Sequence, residues 1–99
     1  MRKVIISKRA SNKLAKLLEY LEKEWSLKVK NDFIEKLDKA VTQIRKYPKS
    51  AEESKSKSGL RKYVVTNQTT VFYRFDSKSV KIVTLFDNRM DPEKLKNEL

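Results

Sequence analysis

The chain contains neither histidine nor cysteine, so any chemistry it performs falls to Lys, Arg, Tyr, Asp or Glu. Disulfides, thiol nucleophiles, imidazole general bases and the usual zinc sites are excluded, and neither a metal nor a cofactor is expected. One cation draws attention by its place. In "TLFDNRMDPEKL", residues 84 to 95, an apolar run passes straight into a helix start, and Arg89 sits between the two. Asp91 followed by Pro92 suits an N-cap and first helical residue, and Glu93 favours the helix dipole. None of these explains Arg89, which either binds carbonyls or acids at the strand end, Asp87 or Asp91 for instance, or holds an external anion. Arg61 and Lys62 are adjacent, so a strand sends them to opposite faces. Arg74 reads as structural or solvated, with Asp76 as one possible partner. Tyr63 and Tyr73 read as packing residues with wet hydroxyls, and Trp25, closing an apolar stripe, as a core anchor.

The elements that must position these residues follow from periodicity. Val4 to Ile6 suits a short buried strand, ended by Ser7 as an N-cap. Ala10, Leu14, Leu17, Leu18, Leu21 and Trp25 recur at helical spacing, predicting a helix over about 8 to 25. Ser26 restarts the pattern, Phe33, Leu37, Ala40, Val41 and Ile44 form a second stripe, and Pro48 stops it. Residues 49 to 58, "KSAEESKSKS", read as an exposed polar loop. After Gly59 the period changes to two: Val71, Tyr73 and Phe75 alternate with Thr70, Phe72 and Arg74, and Val80, Ile82, Thr84 and Phe86 with Lys81, Val83, Leu85 and Asp87. Turn residues at 66 to 69 and 76 to 79 separate the strands. The expected fold is α+β: an N-terminal strand, a two-helix hairpin packed on an antiparallel three- to four-stranded sheet, and a short C-terminal helix. The first strand lies at an edge or beside the last, and the last strand, apolar on both faces, is interior.

At 99 residues the chain predicts one domain spanning its whole length. Hydrophobic residues make up 38% and charged residues 37%, and the periodic grouping of the former favours a folded protein over a disordered one. Twenty-four Lys and Arg against 13 acids give a net charge of +11, beyond what solubility needs, which points to an anionic partner. The first half is the more basic. The apolar run near the N-terminus is far too short for a signal-peptide core or a membrane span, so no membrane partner is expected and the cytoplasm is the default location.

The ordered set "SKRASNKLAKLLEYL", the Tyr47-Pro48 stop, Gly59 just before Arg61, "LRKYVV", "TVFYRF" and "KIVTLFDNRMDP" resembles the RelE/ParE superfamily of toxins from bacterial toxin–antitoxin modules, over nearly the whole chain. The resemblance implies a small basic toxin held inactive by a cognate antitoxin. RelE-like members cut messenger RNA on the ribosome with Lys, Arg and Tyr; ParE-like members share the fold, poison DNA gyrase and lack that set. Carried onto this sequence, the RelE-like pattern points to Arg61 and Lys62 on the first meander strand and Arg89 after the last, which together could hold a phosphate. The arginine expected at the opening of the next strand is missing, since the segment reads Thr69-Thr70-Val71-Phe72-Tyr73. The tyrosine expected near the C-terminal helix is missing too, with Leu95 in that neighbourhood. RNA cleavage needs a base for the 2′-hydroxyl and an acid for the leaving oxygen, and neither is evident.

Three functions stand against one another. A toxin acting by binding gyrase or another target, in the ParE manner, fits the incomplete set best. The alternative is a ribosome-dependent mRNA endonuclease using Arg61, Lys62 and Arg89; a basic nucleic-acid-binding module without toxin activity ranks last. An antitoxin is expected to lay an amphipathic helix or strand over an apolar groove, contacting both sheet and hairpin.

Overall fold

Ser7 ends the first strand and starts the first helix, because its Oγ accepts the Ala10 backbone N–H at 3.0 Å and so satisfies one of the four donors a helix N-terminus leaves unpaired. The computed structural model describes residues 1–54 and 59–87. Within them the order is β1 (Lys3–Ile6), α1 (Lys8–Glu24), α2 (Leu27–Lys46), β2 (Glu52–Glu53), β3 (Arg61–Val64), β4 (Thr69–Phe75) and β5 (Ser79–Asp87). Ser26 repeats the device for α2, accepting the Val29 N–H at 3.1 Å. Lys46 ends α2 just before Pro48, as the stop predicts. The helix start at Asp91-Pro92 lies outside the described residues.

The five strands form one mixed sheet in the order β1-β5-β4-β3-β2. β1 runs parallel to β5, Val4 facing Val80 and Ile6 facing Ile82, and the remaining pairs are antiparallel. The sheet is thus wider than the three to four strands expected. Part of the polar loop accounts for this: Glu52 and Glu53 pair with Lys62 and Arg61, and Ala51 and Ser54 are buried. Two strand residues flanked by lysines and serines carry no period-two signal, so only the tertiary partner reveals them. Gly59 adopts a φ of +80°, a conformation that costs a residue with a Cβ but not glycine; it brings the chain back from β2 to β3.

Both helices pack on one face of the sheet. Ala10 and Ile44 meet Val71, Tyr73, Val80, Ile82 and Leu85 in the main core. Leu60, Phe72 and Phe86 form a second cluster, with Val83 against it. Phe72 lies between Val71 and Tyr73 in β4, so this cluster occupies the opposite face, and its two rings meet edge-on at 6.5 Å between centroids. The alternation expected for β5 fails part-way. A register shift at Phe72/Tyr73 pairs Phe72 with Thr84 but Tyr73 with Ile82, leaving an extra residue in β5. A bulge of this kind inverts the parity beyond it, so Leu85 joins Val80 and Ile82 on the helix face while Phe86 turns away.

β1 covers β5 only as far as Ile82. Beyond it, α1 takes over the edge: Ser7 Oγ donates to the Val83 carbonyl at 2.6 Å and Lys13 Nζ to the Leu85 carbonyl at 3.0 Å. Acceptors that would otherwise face an open sheet edge are thereby satisfied.

Candidate functional site

The two described cations of the sequence-derived set, Arg61 and Lys62, are not brought together. Arg61 faces Tyr73 across the β3–β4 ladder and Lys62 faces Phe72, so the former lies on the helix face of the sheet and the latter on the other. Arg61 Nη1 donates to the carbonyls of Ala51 at 2.7 Å and Lys49 at 3.4 Å, and its guanidinium lies over the Phe75 ring, 5.8 Å from the centroid. Lys62 Nζ is 3.8 Å from a carboxylate oxygen of Glu52, its cross-strand partner. Arg89 lies outside the described residues.

Tyr73 departs from its expected role. It is 0% exposed, and its hydroxyl donates to the Pro48 carbonyl at 2.6 Å rather than to water. Burial raises its pKa above the usual 10.0, against the opposing pull of the Arg61 charge nearby. Tyr73 is therefore a neutral clasp: with Arg61 it holds the segment from Pro48 to Ala51 onto the sheet. Asp76, one possible partner of Arg74, does not pair with it among the described residues. The Asp76 carboxylate turns into its own loop, accepting the Lys78 and Ser79 N–H groups at 2.8 Å each, and these bonds lower its pKa below the ordinary 3.8.

Trp25 is 68% exposed, so it is not a core anchor. It stands at the tip of the helical hairpin beside exposed Leu27, and with exposed Tyr20 and Val29 it lines a groove of about 470 Å³ that also takes in Leu17, Leu21, Leu85 and Phe86. An adjoining groove of about 680 Å³ shares Leu17, Leu21 and Val29 and continues to Phe33, Val64 and Val65. The helix stripes explain Leu17 and Leu21, and Val29 continues the α2 stripe one turn before Phe33, but Tyr20 and Leu27 fall off them. Large apolar residues outside the core stripe were the available sequence signal for this surface.

A profile described as ParE toxin of type II toxin-antitoxin system, parDE, matches residues 4–92. The chain belongs to the ParE toxin family. Among solved structures, the chromosomal ParDE toxin–antitoxin system from P. aeruginosa contains a chain 11% identical, superposing with a TM-score of 0.73 over 88% of this chain and 96% of that one. In the E. coli DinJ-YafQ complex the corresponding values are 17%, 0.61, 88% and 93%, and for YafQ from E. coli strain BL21(DE3) they are 19%, 0.57, 89% and 94%. A comparison with curated proteins finds no significant match. The ParE toxin is thus a member of the RelE/ParE superfamily, as the residue pattern implied, and the toxin half of a toxin–antitoxin pair. Among the described residues no helix is long and apolar enough to cross a membrane.

Proposed function

We propose that this ParE-family toxin arrests growth by binding a protein target, with DNA gyrase the first candidate, and does not cut ribosome-bound messenger RNA. The observation that carries this reading is the separation of Arg61 and Lys62 onto opposite faces, each already engaged within the fold. Phosphoester cleavage requires a base, a phosphate-binding cation and an acid converging on one scissile bond. Arg61 is committed to the carbonyls of Lys49 and Ala51, and Tyr73, the strand's buried hydroxyl, to that of Pro48. Both act as structural ties.

The cognate antitoxin, in this reading, seats an amphipathic helix in the apolar groove between the hairpin and the end of the sheet. Tyr20, Trp25 and Val29 supply the anchors that helix-in-groove recognition uses, and the net charge of +11 favours an acidic partner. Trp25→Ser is expected to weaken antitoxin binding by at least about tenfold, measured by titration calorimetry, while thermal stability stays unchanged.

Induced expression in a bacterial host, with ribosomal messenger RNA mapped and plasmid supercoiling followed, tests the mode of action. Growth arrest with intact messages and altered supercoiling is expected. Messages cut at ribosomes, with cutting lost in Lys62→Gln or Arg89→Ala, would install the endonuclease reading instead.

A further inference from the structure

At the far end of α2 from the hairpin tip lies a second groove, of about 470 Å³, lined by Arg2, Lys46, Lys49, Tyr47, Pro48 and Phe75 among others. Val29 and Lys46 are 17 residues apart on one helix, or roughly 25 Å at 1.5 Å per residue, so this surface is separate from the apolar groove. Three cations line it, and no acid does among the described residues. The carboxylate of neighbouring Asp76 is occupied by the backbone of its own turn.

One of the groove's cations, Arg2, is held in place by the fold. Arg45 Nε, from α2, donates to the Arg2 carbonyl at 2.8 Å, and Arg2 Nε donates to the Asp76 carbonyl at 2.8 Å. The Arg2 guanidinium lies over one Phe75 ring at 5.6 Å, with Arg61 over the same ring at 5.8 Å. Only Nε of Arg2 is consumed, and its terminal nitrogens have no hydrogen-bond partner among the described residues. Lys46 and Lys49 form no ion pair among those residues. Tyr47, 61% exposed, presents a flat aromatic face beside them.

We propose that this groove binds single-stranded nucleic acid, with Arg2, Lys46 and Lys49 on the phosphates and an unpaired base stacked on Tyr47. A pre-ordered guanidinium with two exposed ammonium groups beside an exposed ring suits a phosphodiester with a neighbouring base. An acidic peptide would use the cations and leave the ring idle. A paired base cannot present its face to a side chain in this way, so a single strand is the occupant. The inference stands on this groove alone and is independent of the toxin's mode of action and of the antitoxin's seat.

The test is fluorescence anisotropy of the full chain with a labelled oligonucleotide of about 15 nucleotides, between roughly 50 and 200 mM salt. Lys46→Gln with Lys49→Gln is expected to flatten the slope of log affinity against log salt by about 1.4, at about 0.7 per phosphate contact on a single strand. Tyr47→Ala should weaken binding roughly fivefold or more with the slope unchanged. Lys23→Gln with Lys28→Gln, the same charge change at the hairpin tip, should leave the slope as in the parent. All of these residues are exposed, and unchanged melting of each variant shows that the fold is intact. Absence of binding at the lower salt, equal flattening by both lysine pairs, or indifference to Tyr47→Ala would overturn the proposal. So would a polyglutamate of equal length competing as well as the oligonucleotide, which would make the groove a seat for an acidic peptide.

Discussion

Replacing Tyr73 by Phe removes one hydroxyl from the point where the segment after α2 is fastened to the sheet. The ring keeps its place among Val71, Ile82 and Ile44 in the core, so no cavity opens, and the change isolates the hydrogen bond to the Pro48 carbonyl at 2.6 Å. Pro48 is buried, so its carbonyl loses a donor where water does not readily replace it. An unsatisfied buried acceptor costs about 1 to 3 kcal/mol, and about 1.5 kcal/mol is expected here because the Pro48 segment, flanked by exposed residues on either side, relaxes in part. For a chain of this size about 1 kcal/mol moves the melting midpoint by about 5 °C, so Tyr73→Phe should melt about 7 °C lower by calorimetry at pH 7. The pH dependence provides an independent check. The folded-state pKa of Tyr73 is raised above 10.0, so the native state holds its proton where the unfolded state releases it. Stability from this group is fully present below pH 10 and is lost as pH rises through the folded value. The gap between wild type and Tyr73→Phe should therefore narrow above pH 10. Tyr63, half-buried and with no hydrogen bond from its hydroxyl among the described residues, serves as the control: Tyr63→Phe should change stability by under about 0.5 kcal/mol. A Tyr73→Phe protein that melts with the wild type, or a gap that stays constant across pH 10, would refute the clasp.

Ser7→Ala loses both the cap of α1 and the donor to the exposed edge of β5, and should cost about 1 to 2 kcal/mol, read as a lower urea midpoint with an unchanged m-value. Arg61→Lys keeps the charge but lacks the planar fork that reaches the Ala51 and Lys49 carbonyls; amide exchange should accelerate from Ser50 to Glu53 and stay unchanged in β5. The Asp76 pKa is lowered, chiefly by the Lys78 and Ser79 N–H groups, so its contribution is present above the unfolded value and lost as pH falls through the folded one. Asp76→Ala should accordingly melt lower than wild type at pH 7, with the difference shrinking on acidification below pH 4 (about the ordinary carboxylate range).

Much of the secondary structure was legible because its signals are local. Ser7 and Ser26 cap the helices by bonding backbone groups three residues on, and Pro48 stops α2 because it has no N–H to continue the ladder. Both can be read from a short window. The β2 strand could not be, since Glu52 and Glu53 are strand only through pairing with β3. The β5 bulge was equally hidden. Period two is a property of an unbroken ladder, and the inserted residue that sends Phe86 to the face opposite Leu85 is set by β4.

The candidate site divides in the same way. The absence of histidine and cysteine, the charge of +11 and the adjacency of Arg61 and Lys62 fixed in advance which groups could act and that a regular strand would part those two cations. The ordered motifs carried the toxin family, and the profile match over residues 4–92 agrees. Tertiary structure alone decided what the side chains are used for: that Arg61 and Tyr73 hold a loop, that Trp25 stands outside the core, and that Arg2, Lys46 and Lys49 line one groove. A side chain's partners are set by which distant segments the sheet register brings within a few ångströms, and that distance is not written in the spacing of residues along the chain.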